Sequence, residues 1–346
     1  MKLFPYNDKM FVESEHGSFT IVAKELYPIF KGMGVIGEIN DPNTVVIQPE
    51  CLDTSRKSNR FVPYLACEYS RPTVFSKHHL NLYSPFILTI SEFARQNILR
   101  GMNYDPNKIK SVHLGANSAK WYKMPNVEKF PVFTYLTVNT SNDRSGYEYL
   151  IPAFNRFSQG KEVNLIIKDG DRNEKLESYI SSLNNPKIIY THGKLSTEEL
   201  RVLYNKAHVF LYANNTTSFG MNIMDAALCG TPVLATMGSA IKEFLPDWTQ
   251  PVKILTKIHN FENHIFEKML NAGINPASIP NKAYYDGEVT GEIVVEDSIL
   301  DSLNYSVDNY QSLLDINKKH IQFILENFTW EKTCNRILKL VTEYYK

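Results

Sequence analysis

With 346 residues, the chain is too long for one ordinary hydrophobic core and suits two domains of average size. Hydrophobic residues make up 43% and charged residues 21%, the balance of a globular protein. Equal counts of 37 Lys+Arg and 37 Asp+Glu leave no net charge, so nothing global recruits nucleic acid or an anionic membrane.

No apolar run reaches the roughly 20 residues of a membrane span. The opening MKLFPYNDKMF is interrupted by Asp8 and Lys9 and does not read as a signal peptide. Cys51, Cys67, Cys229 and Cys334 lack metal or redox spacing. They read as reduced core thiols, which gives a cytoplasmic expectation. The N-x-[ST] matches at Asn139 and Asn215 then read as chance.

In chain order, a helical period appears at Phe19, Val22, Leu26 and Phe30. Strand-like runs follow at 44–48, 60–66 and 85–90. Ser91 suits an N-cap and Gly101 a helix stop. Residues 109–115 look like a strand, and 116–130 fit neither period and are the candidate linker. The second half repeats the alternation, with strands expected at 131–138, 163–168, 187–191, 208–212 and 232–236. No elements can be placed between Pro251 and Leu300. Trp330, Cys334, Ile337, Val341 and Tyr344 then mark a closing helix, capped by Thr329.

Alternating strands and helices imply parallel sheets. The expectation is α/β, two Rossmann-like doubly wound domains facing a cleft: residues 1–125 with the C-terminal helix 328–346, and residues 131–327. Ligands in such sheets sit beyond the carboxyl ends of the strands.

The stretch NNTTSFGMNIMDAALCGTPVLAT, Asn214 to Thr236, completes a strand–turn–helix–strand unit. Gly220 lets backbone approach a ligand, and the helix start after it offers free N–H groups suited to phosphate. Asp225, one turn in, can accept hydroxyl hydrogen bonds. The plain alternative is a buried corner with Asp225 facing water.

This stretch resembles the donor-binding motif of retaining glycosyltransferases of family 4, which have the two-domain GT-B fold. Three further segments are similar to that family in the same order: 87–117, DRSGYEYLIPAFNRF at 143–157, and NFTWEKTCNRIL at 327–338. The resemblance implies transfer of a sugar from a nucleotide-sugar donor, UDP- or GDP-linked, to a hydroxyl acceptor, with no cofactor and no metal. It implies that Asp225 holds the ribose and Thr217 the sugar, where the family has two glutamates. Ser218, Phe219, Gly220 and Met221 would line the sugar and diphosphate.

The family also carries an Arg and a Lys on the diphosphate, and the matching positions are Asn139 and Ser145. Arg144 is the substitute cation to expect, or else a solvated loop arginine; Lys168 is a weaker candidate. His192 and Gly193 fall where the family binds the nucleobase. In the first domain, Gly17 stands where the family has a glycine-rich turn, and Glu68 ends a strand where it could orient the acceptor or sugar. Arg71 could pair with Glu68. The acceptor, whether glycan, lipid, protein or nucleic acid, is not named by any motif. Loss of the family's charged residues also admits a GT-B scaffold that binds without transfer.

Asp169-Gly170-Asp171 could be a D-x-D metal motif but fits ordinary turn chemistry better. His78 and His79 are adjacent and make a poor metal pair.

Overall fold

The computed structural model describes residues 1–6, 18–39, 41, 43–49, 60–70, 72, 80, 86–139, 144–260 and 290–346. They form two compact units. The first holds the described residues of Met1–Ala116 together with Glu326–Lys346, and the second the described residues from Asn117 to Leu325.

The first unit is a five-stranded parallel sheet in the order β1 (Lys2–Pro5), β2 (Thr44–Pro49), β3 (Phe61–Leu65), β4 (Ile87–Thr89) and β5 (Ile109–Ser111). Four of these were expected; β1 hides in four residues, too short for a period to show. Helix α1 (Ser18–Gly32) buries Val22, Leu26 and Phe30 as the spacing predicts. On leaving α1 the chain bridges Leu3 from Ile36, then crosses to the other flank of β1 for β2. The direction of winding therefore reverses at β1.

Ser91 caps α2 (Glu92–Gly101) by accepting from the Ala94 amide, and the helix stops at Gly101. The C-terminal helix Trp330–Tyr344 belongs to this unit. Thr329 caps it at Lys332, and its buried stripe includes Trp330, Cys334, Ile337 and Val341. Thr333 Oγ1 donates to the His113 carbonyl at 2.8 Å, and the Phe86 and Tyr344 rings stack at 4.6 Å. A Cβ on Gly115 would overlap the Trp330 backbone, so glycine lets the chain pass that close.

The second unit alternates β6 (Phe133–Asn139), α3 (Tyr147–Phe157), β7 (Val163–Asp169), α4 (Glu174–Ser182), β8 (Ile188–Thr191), α5 (Thr197–Lys206), β9 (Val209–Tyr212), α6 (Met221–Leu228), β10 (Val233–Ala235) and α7 (Ile241–Phe244). The strands are all parallel, in the order β10-β9-β6-β7-β8. Tyr135, Leu150, Phe154, Leu165, Ile167 and Leu211 are among its fully buried core residues. Each such side chain contributes about 1.5–3 kcal/mol by leaving water.

The candidate linker is packed structure. Trp121 meets Tyr204 edge-on at 5.6 Å, and the Met124 amide donates to Asn205 Oδ1 at 2.7 Å. The unplaced region holds an antiparallel ribbon, β11 (Thr256–Asn260) and β12 (Thr290–Val294). Helices α8 (Glu296–Asp308) and α9 (Tyr310–Asn327) follow.

Candidate functional site

In the second unit the chain winds from β6 outward through β7 and β8, then returns to the other flank of β6 for β9 and β10. The loops after β6 and β9 therefore diverge at a topological switch point, the place where open α/β sheets bind ligands. Hydrogen bonds tie the two loops together. Asn139 Nδ2 donates to Asn214 Oδ1 at 2.8 Å, and the Asn215 amide donates to the Arg144 carbonyl at 2.9 Å. Gly146, at φ +65°, caps α3 against the Ala213 carbonyl oxygen, which a Cβ would overlap.

Of the two residues at the cation positions that the resemblance implies, Asn139 fixes the neighbouring loop and Ser145 is 1% exposed. Arg144 is half-buried at the same edge.

The loop after β9 leads directly into α6. Thr217, Ser218 and Phe219 are buried, while Gly220 and Met221 are half-buried. Gly220 has φ +123°, reachable at low cost only by glycine, and it reverses the chain into the helix. Tyr212 OH reaches Thr217 Oγ1 at 3.4 Å, and the Phe219 ring stacks on Phe244 at 4.6 Å and 25°. Asn222 Nδ2 donates to the Val138 carbonyl at 2.9 Å, pinning the first turn of α6 to β6. Asp225, one turn further, is half-buried. Burial first, and then the Asp225 charge, push the Tyr204 phenol well above its ordinary pKa and the Cys229 thiol up to about 12. Cys229 is therefore a protonated core thiol.

Three further residues, to which the sequence reading gave no role in the site, join this edge. Asn215 is buried and bridges two elements: its Nδ2 donates to Glu148 Oε1 at 2.7 Å, and its Oδ1 accepts from the Val294 amide at 3.1 Å. Glu148 is a 1% exposed glutamate in the first turn of α3, where the helix dipole favours its charge. Glu292, from β12, accepts from Thr256 Oγ1 at 2.8 Å and from Ser239 Oγ at 3.2 Å.

On the β7–β8 flank, Lys168 Nζ donates to the Asp169 carbonyl at 2.6 Å and to the Gly193 carbonyl. Burial lowers its pKa, against the charges of Asp169 and Asp171. Two of the three ammonium donors of Lys168 thus tie the His192-Gly193 loop to the end of β7, a use that its reading as a weaker phosphate candidate did not include. Asp169 is buried and accepts from Tyr190 OH at 3.2 Å, and Tyr190 OH in turn receives the Asn173 amide at 2.9 Å. Asp171 is exposed, and its carbonyl, 3.3 Å from the same phenol, is the alternative acceptor for that one proton. The Asp-Gly-Asp segment is built as a turn around Tyr190. Among the described residues no group of three or more His, Cys, Asp or Glu could hold a metal ion.

The structure thus brings Arg144, Ser145, His192, Gly193, Asp225 and the 217–221 segment to the carboxyl edge of one sheet. Glu68 belongs to the first unit, three residues past β3. Its loop is anchored where Asn97 Nδ2 donates to the Cys67 carbonyl at 3.1 Å. Ser91 and Glu92 act in helix capping: Glu92 binds Arg95, Gln96 and Ser111. Burial opposes the Glu92 charge, but those hydrogen bonds outweigh it and lower its pKa. Gly17, Arg71, His78, His79 and Cys51 lie outside the described residues.

The fold is that of the GT-B glycosyltransferases. A glycosyltransferase from Rickettsia africae superposes with TM-score 0.63 over 97% of this chain and 85% of its own, at 14% identity. Anabaena HepE, solved in complex with UDP, superposes with TM-score 0.62 over 99% of this chain and 100% of its own, at 11% identity. Residues 125–267, which carry the edge just described, match the family described as Glycosyl transferases group 1. The Escherichia coli O-antigen chain mannosyltransferase B is 26% identical over 174 residues, 46% of this chain and 45% of that protein. The MMP alpha-(1->4)-mannosyltransferase of Mycolicibacterium hassiacum is 24% identical over 165 residues, 47% of this chain and 40% of that protein. The chain thus spans less than half the length of these curated relatives. Among the described residues no helix is long and apolar enough to cross a membrane.

Proposed function

We propose that this protein is a retaining glycosyltransferase of the family 4 type, moving a hexosyl group from a UDP- or GDP-linked donor to a hydroxyl acceptor. The observation that carries the reading is the switch point of the second unit. There the β6 and β9 loops, joined by Asn139–Asn214 and Arg144–Asn215 hydrogen bonds, present the start of α6 at the carboxyl edge of the sheet. Relatives named as mannosyltransferases and a neighbour captured with UDP and glucose support the reaction class.

In this reading the amides of Phe219–Met221 and the Arg144 guanidinium meet the donor diphosphate. Ser218 and Gly220 let the donor come close to backbone, and Ser145 contributes to the donor pocket at the position of a diphosphate ligand. Thr217 holds the transferred sugar, Asp225 the ribose, and the His192-Gly193 loop the base. Glu68 orients the acceptor hydroxyl or the sugar.

The acceptor oxygen attacks the anomeric carbon on the face from which the diphosphate leaves. The new carbon–oxygen bond forms as the old one breaks, and a departing phosphate oxygen takes the hydroxyl proton. The protein positions the reactants and stabilises the leaving charge. No metal is required. Cys67, Cys229 and Cys334 are buried free thiols, which supports a cytoplasmic site of action.

The test is a transfer assay with labelled UDP- and GDP-sugars, with the anomer of the product read by NMR. Asp225→Ala and Arg144→Ala should each lower kcat/KM at least tenfold; wild-type turnover in both would remove these assignments. An inverted product would remove the retaining mechanism.

A second reading, a GT-B scaffold that binds nucleotide or glycan without transfer, is favoured by the neutral side chains at positions 139 and 145 and by the use of Asn139 to hold Asn214. It predicts a nucleotide-induced rise in melting temperature with no turnover on any donor.

A further inference from the structure

We propose that Glu292 is a positioning residue that sets the shape of the donor-binding loops from the neighbouring β11–β12 ribbon. The proposal rests on the donor-site reading above. Ser239, in the loop after β10, has φ +49°, a left-handed conformation that a non-glycine residue other than Asn or Asp seldom adopts. It keeps that conformation while 9% exposed. Beside it, the Glu292 carboxylate occupies the space that a Cβ on Gly238 would fill. The turn is thus moulded around one carboxylate.

The hydroxyl network has a direction. Ser239 has one hydroxyl proton and gives it to Glu292 Oε2 at 3.2 Å. The 3.2 Å bond between Thr216 Oγ1 and Ser239 Oγ must then be donated by Thr216, which is fully buried. Thr256 donates to the same carboxylate oxygen. The chain Thr216 to Ser239 to Glu292 ends on an acceptor, and a backbone bond runs parallel to it, from the Ala240 amide to the Thr217 carbonyl at 3.2 Å. Both bonds hold the residues that lead into Ser218-Phe219-Gly220.

Two residues on, β12 also holds the loop after β9 directly, through the Val294 amide and Asn215 Oδ1. The ribbon is therefore fastened to the loops after both β9 and β10. Removing the carboxylate leaves a buried hydroxyl proton without its acceptor and a left-handed serine without its support.

The experiment measures amide hydrogen exchange in residues 214–220 and 237–241, together with calorimetric affinity for UDP and GDP. It compares wild type, Glu292→Gln, Glu292→Ala and the Glu292→Ala/Ser239→Gly double variant. Glu292→Ala should speed exchange in both loops and weaken nucleotide binding, each at least tenfold, with a smaller effect in Glu292→Gln. The double variant should recover part of the affinity, because glycine accepts the positive φ without help; a merely structural role for Glu292 would not be rescued this way. Unchanged exchange at 214–220 in Glu292→Ala, or in Glu292→Gln if the alanine variant does not fold, overturns the proposal. So does a double variant no better than Glu292→Ala. If wild type binds neither nucleotide, the donor-site reading falls, and the exchange arm alone decides whether Glu292 holds the loops.

Discussion

Gly146 and Gly160 offer a controlled pair. Both are left-handed, at φ +65° and +69°, so alanine pays the same conformational cost at each, about 1–2 kcal/mol. Their surroundings differ. A Cβ at Gly160 meets nothing within 4 Å, whereas one at Gly146 overlaps the Ala213 carbonyl oxygen. Forcing that contact apart adds about 1–3 kcal/mol, the usual cost of overpacking. Gly160→Ala should therefore destabilise the second unit by about 1–2 kcal/mol and Gly146→Ala by about 2–5 kcal/mol. Urea unfolding followed by tryptophan fluorescence is a suitable assay, because Trp121 and Trp248 lie in this unit and only Trp330 in the other. Ala213 opens the loop that carries the site, so Gly146→Ala should also weaken nucleotide binding while Gly160→Ala leaves it alone. Equal destabilisation by the two variants, or equal nucleotide affinity, would refute the argument that Gly146 is there to let the two loops meet.

Lys168→Met should free the His192-Gly193 loop and raise the dissociation constant for nucleotide several-fold with little change in kcat; a selective loss of kcat would contradict its role as a loop clamp. Phe219→Ala removes a ring stacked at 4.6 Å on Phe244, and should cost about 3–5 kcal/mol in the same unfolding assay. Burial, with Lys129 nearby, depresses the His208 pKa to about 4; burial also brings His320 to about 4, against a hydrogen bond with the Phe244 backbone. His208 Nδ1 must stay unprotonated to accept from the Thr134 amide at 3.1 Å. Between pH 6.5 and about 4 the unfolded chain binds protons that the folded chain refuses, so stability falls as pH falls through this window. His208→Gln/His320→Gln should flatten that slope in urea titrations at fixed pH.

Much of the fold was legible because its signals are local. A run such as VNLIIK announces a buried parallel strand, and Ser91 and Thr329 announce helix starts through a single hydroxyl. The carboxyl-edge loops were legible for the same reason, since Gly220 and Asp225 lie five residues apart. What escaped depends on partners distant in sequence. β12 pairs with β11 across 30 residues, in the register Asn260 to Thr290, and neither five-residue strand alternates cleanly. Glu292 gains its meaning only when folding brings it under Gly238 and Ser239. Lys168 looked available for phosphate because nothing near it in sequence shows that the Gly193 carbonyl will take its ammonium. The linker reading caught the boundary between the units, which falls after Ala116, but polar composition at 116–130 conceals side chains such as Trp121 that are buried by contacts some 80 residues away.

The neutral side chains at positions 139 and 145 set an expectation for rate. A preorganised donor to a developing negative charge is worth about 10²–10³ in kcat. If Arg144 replaces one of the two missing cations, one such donor is still absent, and the α6 N-terminus offers roughly half an elementary charge in partial compensation. Transfer should then be slower than in a relative with both cations by up to about 10²-fold, with nucleotide affinity less affected because ground-state binding uses the ribose and base contacts as well. Measuring kcat and the nucleotide dissociation constant on the same preparation separates these. Slow but saturable transfer that Arg144→Ala abolishes would show one cation carrying the leaving charge. A rate equal to that of a two-cation relative, unaffected by Arg144→Ala, would mean that the diphosphate charge is met elsewhere and that the edge has been misread. Tight nucleotide binding with no transfer would move the protein to the scaffold reading, with Asn139 kept for the loop it holds.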